Sequence, residues 1–151
     1  MAGQGLMYSC TLGNTSWGTA STDVWVLGTS AAVPVLIHEI RMTANQTVDT
    51  RTPLQICRRT AGPTGGAAVT ARPLNLRNSV AAASTITSLP GTPGAIGNLL
   101  ENELWSQLVP FSRIYTPDER IYVPISSWVA LFLPSAPAAV NVSWDIFFEE
   151  L

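Results

Sequence analysis

The chain has 151 residues, of which 46% are apolar and 12% charged, with a formal net charge of −2. That length suits one domain with a sizeable core and requires no metal or disulfide staple, and the apolar content excludes a disordered chain. Ten acidic residues against eight arginines, with no lysine, leave no basic excess to neutralise phosphates, so direct nucleic-acid binding is disfavoured.

The opening stretch MAGQGLMYSC has no basic region and no apolar run of signal-peptide length, which predicts a chain that is not exported and lives in a reducing compartment. Gly3, Gly5, Gly13 and Gly18 weaken regular structure. Residues 1–20 are therefore expected as a partly extended segment, paired within its own subunit or reaching a neighbour as an arm, ahead of a sandwich domain over 21–151. Within and after it, GLMYSCTL and TDVWVLG are β-prone runs rich in branched and aromatic residues. PVLIHEIRMT alternates as a strand does: Leu36, His38, Ile40 and Met42 share one predicted face, and Val35, Ile37, Glu39, Arg41 and Thr43 the other. LQICRR follows as a further strand. Cys10 and Cys57 lack metal-ligand spacing, and in a reducing compartment they read as two buried thiols rather than a bridge. The sequons at Asn14, Asn45 and Asn141 are discounted on the same ground.

Residues 59–78, RTAGPTGGAAVTARPLNLRN, contain Gly62, Gly65 and Gly66 and raise the question of a phosphate loop. Such a loop needs a lysine and a hydroxyl directly after its last glycine; Ala67 and Ala68 stand there instead, and the dinucleotide fingerprint fails on its glycine spacing. The stretch reads as a turn between strands. Residues 78–98 are small and polar, with Pro90 and Pro93 flanked by Gly91 and Gly94, and predict a long loop with at most one short edge strand. In NLLENELWSQLVPF a helix competes through Leu99, Leu100, Glu103 and Leu104, but Pro110 stops the run and no longer periodicity sustains it, so a strand is preferred. RIYVPI and SWVALFL add two strands, and the apolar run at 128–134 falls far short of the roughly 20 residues a membrane-spanning helix needs. From 139 to 151, Val140, Val142, Trp144, Ile146 and Phe148 alternate with Asn141, Ser143, Asp145, Phe147 and Glu149 as a half-buried strand. Many short strands punctuated by turn residues define an all-β fold, a single-domain two-sheet sandwich with the jelly roll as the preferred version.

Residues capable of chemistry are few. His38, the single histidine, sits among apolar neighbours and reads as a hydrogen-bonded core residue; no G-x-S-x-G elbow accompanies it and no second ligand lies at metal spacing. Glu101 and Glu103 would share a strand face, as paired carboxylates in a glycosidase must, but Asn102 and Gln107 beside them suggest a solvated rim. Asp118 and Glu119 follow Pro117 in TPDER, a turn composition. Trp105, Phe111, Tyr115 and Tyr122 could stack rings, yet strand aromatics mostly fill cores or subunit interfaces. No catalytic residue, cofactor or metal is expected.

The C-terminal third, YTPDERIYVPISSWVALFLPSAPAAVNVSWDIFFEE, resembles a recurring ending in small proteins of tailed bacteriophages and prophages. There a Thr-Pro-acid-acid-Arg turn precedes a Val/Ile-rich strand, an apolar strand ends near a Pro/Ala-rich turn, and an apolar strand closes on paired glutamates. IHEIRMT and the arginine-led strand running into TAGPTGGAAVTARPLN look like the middle of that group, so the similarity covers about two thirds of the chain, while the N-terminal segment has no counterpart. The resemblance implies a jelly-roll capsid decoration, or cement, protein: a non-enzymatic virion protein, made in the host cytoplasm, that sits as a homotrimer on the outer shell and binds the major capsid protein. On that reading Trp105, Phe111 and Tyr115 are expected at the subunit interface, because aromatics supply large contact area at low entropy cost. Trp17, Arg58 and Arg59 are expected against the capsid, although the adjacent arginines must face opposite sides of a strand. A receptor- or glycan-binding module of a tail tip is the alternative, presenting loops 62–68 or 86–98; a hydrolase using Glu101 and Glu103 is a third reading.

Overall fold

The computed structural model describes residues 5–17, 22–75, 77, 79–135 and 140–151, and its regular elements are all β-strands. In chain order these are β1 (Leu6–Trp17), β2 (Thr22–Gly28), β3 (Val35–Asn45), β4 (Arg51–Arg59), β5 (Ala67–Val69), β6 (Arg72–Pro73), β7 (Thr85–Ser88), β8 (Ile96–Ser106), β9 (Phe111–Ile114), β10 (Ile121–Val123), β11 (Trp128–Leu133) and β12 (Val140–Glu150). They form two 6-stranded sheets. One runs β10-β3-β12-β1-β6, with β9 also on β3; the other runs β5-β7-β2-β11-β4-β8. Every pairing is antiparallel. The expected all-β two-sheet sandwich is present.

The long strands pair in a nested order, β1 with β12, β2 with β11, β3 with β9 and β10, and β4 with β8, so the chain behaves as one long hairpin folded over on itself. Successive strands β1 to β4 then alternate between the sheets, and each must bury one face against the other layer. Tyr8, Ile37, Ile40, Trp144 and Phe148 of the first sheet meet Trp25, Leu27, Ile56 and Leu131 of the second in one core. Trp25 and Trp144 touch across the sandwich with ring centroids 6.3 Å apart.

Of the two arrangements left open for the N-terminal segment, residues 6–17 take the one within their own subunit, β1 lying between β12 and β6, and two other expectations need correction. A register shift between Leu12 and Thr15 leaves Asn14 at φ 50 with its N–H on Ser143 Oγ, so the sheet absorbs the Gly13-Asn14 interruption as a bulge; residues 1–4 and 18–20 lie outside the described residues. In β3, Phe147 pairs with Glu39 but Phe148 with Ile37, which makes His38 an extra residue. That bulge reverses the facing of the strand: Val35 and Ile37 before it, and Ile40 and Met42 after it, are the buried ones. His38 is thereby turned out of the core. Between 78 and 98, β7 is no edge, since β2 pairs it on one side and β5 on the other, and β8 begins at Ile96.

The middle of the second sheet is buried on its outer face as well. There Val26, Cys57, Ala130 and Phe132 cluster with Trp128, under two loops joined by Thr64 and Thr92, whose N–H groups donate to each other's carbonyls at 2.9 and 3.0 Å. The glycine-rich stretch is this cover. A Cβ on Gly62 would stand 3.1 Å from the Trp128 indole nitrogen, and one on Gly66, at φ +86, 2.6 Å from the Ser88 carbonyl oxygen. Its glycines serve a close backbone approach, as the turn reading requires.

Candidate functional site: the open edge of β8

Four sheet edges end this sandwich, and three are closed by very short strands: β5 has 3 residues, β6 has 2, and β9 and β10 share the last with 4 and 3. Short edge strands are a usual way to keep unpaired backbone from recruiting another chain. The fourth edge differs. β8 is 11 residues long and, among the described residues, hydrogen-bonds only to β4, leaving a row of backbone groups about 36 Å long facing outward.

Pairing with β4 tells which way each β8 side chain points, because directly opposed residues share a face. Glu101, Glu103 and Trp105 oppose Ile56, Leu54 and Thr52, so they project on the inner side of the sheet. Ile96, Leu99, Asn102 and Leu104 oppose Arg59, Cys57, Gln55 and Pro53, so they project on the outer side. Two register shifts between Ile96 and Glu101 bend the strand's first half. The outer stripe is aliphatic and open: Ile96 is 47% exposed, Leu99 50% and Leu104 59%. The turn after the strand adds exposed Leu108 and Val109, and Ile114 of β9 stands exposed nearby. An exposed aliphatic stripe along a long unpaired edge is a feature that sandwich proteins ordinarily avoid on free surface.

On the inner side Trp105 anchors the strand, buried in the core with its indole N–H donating to the Val109 carbonyl at 2.8 Å. Gln107 donates its side-chain amide to Thr52 Oγ1 at 3.1 Å and its backbone N–H to Thr50 at 3.0 Å; it is buried and belongs to no solvated rim. Glu101 accepts from Arg113 Nε of β9 at 3.1 Å and so straps the two sheets together at this edge. Arg113 lies over the Tyr115 ring at 5.8 Å, and burial, reinforced by the Glu101 carboxylate, pushes the Tyr115 phenol far above its ordinary range. Glu103 is exposed and makes no ion pair among the described residues.

The residues expected at interfaces fall elsewhere. Trp105, Phe111 and Tyr115 are all three buried in the chain's own core and offer little surface to a neighbour. Arg58 and Arg59 do face opposite sides of β4, and both are used internally. Arg58 donates to the Tyr122 carbonyl at 3.2 Å, linking the sheets. Arg59 is buried, ion-paired with Asp23, donating to the Gly94 carbonyl at 3.1 Å and stacked 4.6 Å over Phe132. It is the bolt that holds the loop cover. The Trp17 side chain lies outside the described residues.

The other singled-out groups have structural partners. His38 Nε2 lies 3.1 Å from Glu149 Oε2 on the outer side of the first sheet. Glu150, its neighbour, accepts the N–H groups of Ala83 and Ser84 at 3.1 and 2.7 Å, so the paired glutamates at the end of β12 tie down different segments. Thr116 and Glu119 close the TPDER turn through a 2.9 Å backbone bond. Cys10 and Cys57 are free and buried, on different sheets, and burial pushes their thiols up to about 12 and about 11. A cleft of ≈ 430 Å³ beside β5 and β7 is lined by small neutral residues such as Ala71, Ala82, Ser84 and Thr87, without an acid or base. Among the described residues no three His, Cys, Asp or Glu side chains converge on a metal-sized site.

Sequence reasoning missed Asp23 and the openness of β8. Asp23 carried a signal, an acid inside the apolar run TDVWVLG that only a buried cation could satisfy. The edge carried a weaker one: NLLENELWS lacks the clean alternation of a half-buried strand. Comparison of the chain with protein-family models, with curated proteins and with solved structures finds no match.

Proposed function

We propose that this chain is a structural, non-enzymatic assembly protein of a phage particle: a capsid decoration protein that binds the outer shell as a homotrimer and stabilises it. The observation that carries the reading is the 11-residue edge of β8 with its exposed aliphatic stripe. A protein that closes its other edges with short strands, and spends its few charges on internal pairs such as Asp23 with Arg59 and Glu101 with Arg113, presents this edge to a partner. Leu108, Val109 and Ile114 beside it supply contacts between copies. The nested strand pairing supports a jelly roll, in which a long hairpin winds into two facing sheets. The order of motifs in the C-terminal third supports the phage setting. On a symmetric shell many weak contacts add through avidity, so no single contact has to be strong.

The test is the mass of the purified chain in solution, followed by cosedimentation with emptied phage heads that lack it. A trimer that saturates the heads at a fixed copy number is the expected result. A trimer that ignores heads but binds host cells or glycans would replace this reading with the tail-tip one, and a monomer that binds neither would end both.

A further inference from the structure

We infer that the free edge of β8 is completed by an extended strand of another protein, one that alternates aliphatic with basic residues and pairs its basic positions with Glu103. On the proposed function that strand belongs to the shell, a point that rests on that reading; the chemistry of the strand does not. Strand addition of this kind uses main-chain hydrogen bonds for affinity and alternate side chains for selectivity, and the two sides of β8 specify those side chains. Outward, Leu99 and Leu104 call for aliphatic neighbours. Inward, Glu101 is engaged by Arg113, whereas Glu103 has no cation among the described residues. A basic residue beside Glu103 supplies it.

A second copy fits this edge poorly. The chain's other edges are strands of 2 to 4 residues and leave most of the 11 in β8 unpaired. β8 against its own copy does no better: antiparallel registers centred on residues 101, 102 or 103 set a glutamate of one strand opposite a glutamate of the other, and like charges directly opposed are destabilising. A foreign strand of the full length, with basic residues toward Glu103, meets neither obstacle.

The probes are two end-capped synthetic peptides, Thr-Val-Lys-Val-Lys-Val-Thr and the same peptide with Glu in place of Lys, titrated against the full chain with amide hydrogen exchange read over residues 96–106. The lysine peptide should bind about fivefold or more tightly than the glutamate peptide and slow exchange within β8, more weakly as salt rises. Glu103→Lys should invert the preference, and Glu119→Lys, in the turn of 116–119, should leave it unchanged. No slowing of β8 with either peptide, or a preference untouched by Glu103→Lys, overturns the inference. Heads separate the two ideas. If wild-type protein binds heads and Glu103→Lys binds them equally well, the strand inference falls and the decoration reading stands; if wild-type protein ignores heads, the decoration reading falls while the peptides still decide the strand.

Discussion

β12 and β8 have the same length, 11 residues each, and nearly opposite fates. β12 runs between β1 and β3, and from Val142 to Glu150 its residues alternate between buried and half-buried. β8 has β4 on one side and no strand of the described residues on the other, and of its residues only Trp105 is buried. Length and strand character are therefore insufficient to set the worth of a position. An inward side chain in β12, such as Trp144, has covered neighbours on both flanks and a facing sheet above it, whereas Leu104 in β8 has one flank, no facing layer on its side, and solvent beyond.

Three changes would break or sharpen this contrast. The largest loss is expected in the two-flanked strand: Trp144→Ala removes a ring packed on Trp25 and should destabilise the chain by about 3–5 kcal/mol in denaturant unfolding. A loss near 1 kcal/mol would mean that the core around β12 is loosely filled. Next is the buried pair beneath the loop cover. Asp23→Ala strands the Arg59 guanidinium without its carboxylate and should cost roughly 3 kcal/mol, most of it recovered when Asp23→Leu is combined with Arg59→Met. Failure of the double variant to recover would show that the ion pair, rather than the mere absence of a lone charge, orders the loops. The smallest effect on folding belongs to the open edge. Leu104→Ser should change the stability of the isolated chain by less than about 0.5 kcal/mol and yet weaken its association with heads in cosedimentation; an unaltered association would remove Leu104 from the contact surface.

Local pattern was a good guide where no bulge interrupts the strand. The alternation read toward the C-terminus is the alternation of β12 over Val140–Glu150, the turn chemistry of TPDER is a turn, and Cys10 and Cys57 are two buried free thiols. It failed at β3, where one extra residue at His38 switches the inward face halfway along, a defect that exists only relative to the neighbouring strand. It failed again for Trp105, Phe111 and Tyr115. An aromatic beside a proline-rich corner reads equally as core or interface, and only the facing sheet decided for the core.

What the amino-acid sequence determined by itself is the strand content, the turns and the division into two packed sheets, because those follow from the period of the apolar residues and from the conformational demands of Gly, Pro, Asn and Asp. What only the tertiary structure decided is which charges are consumed internally and which edge stays open. Asp23 and Arg59 are 36 positions apart, and β8 is an edge because no other strand of the described residues pairs its far side. Such facts are set by strand order, and strand order arises from long-range pairing that no short stretch of sequence contains.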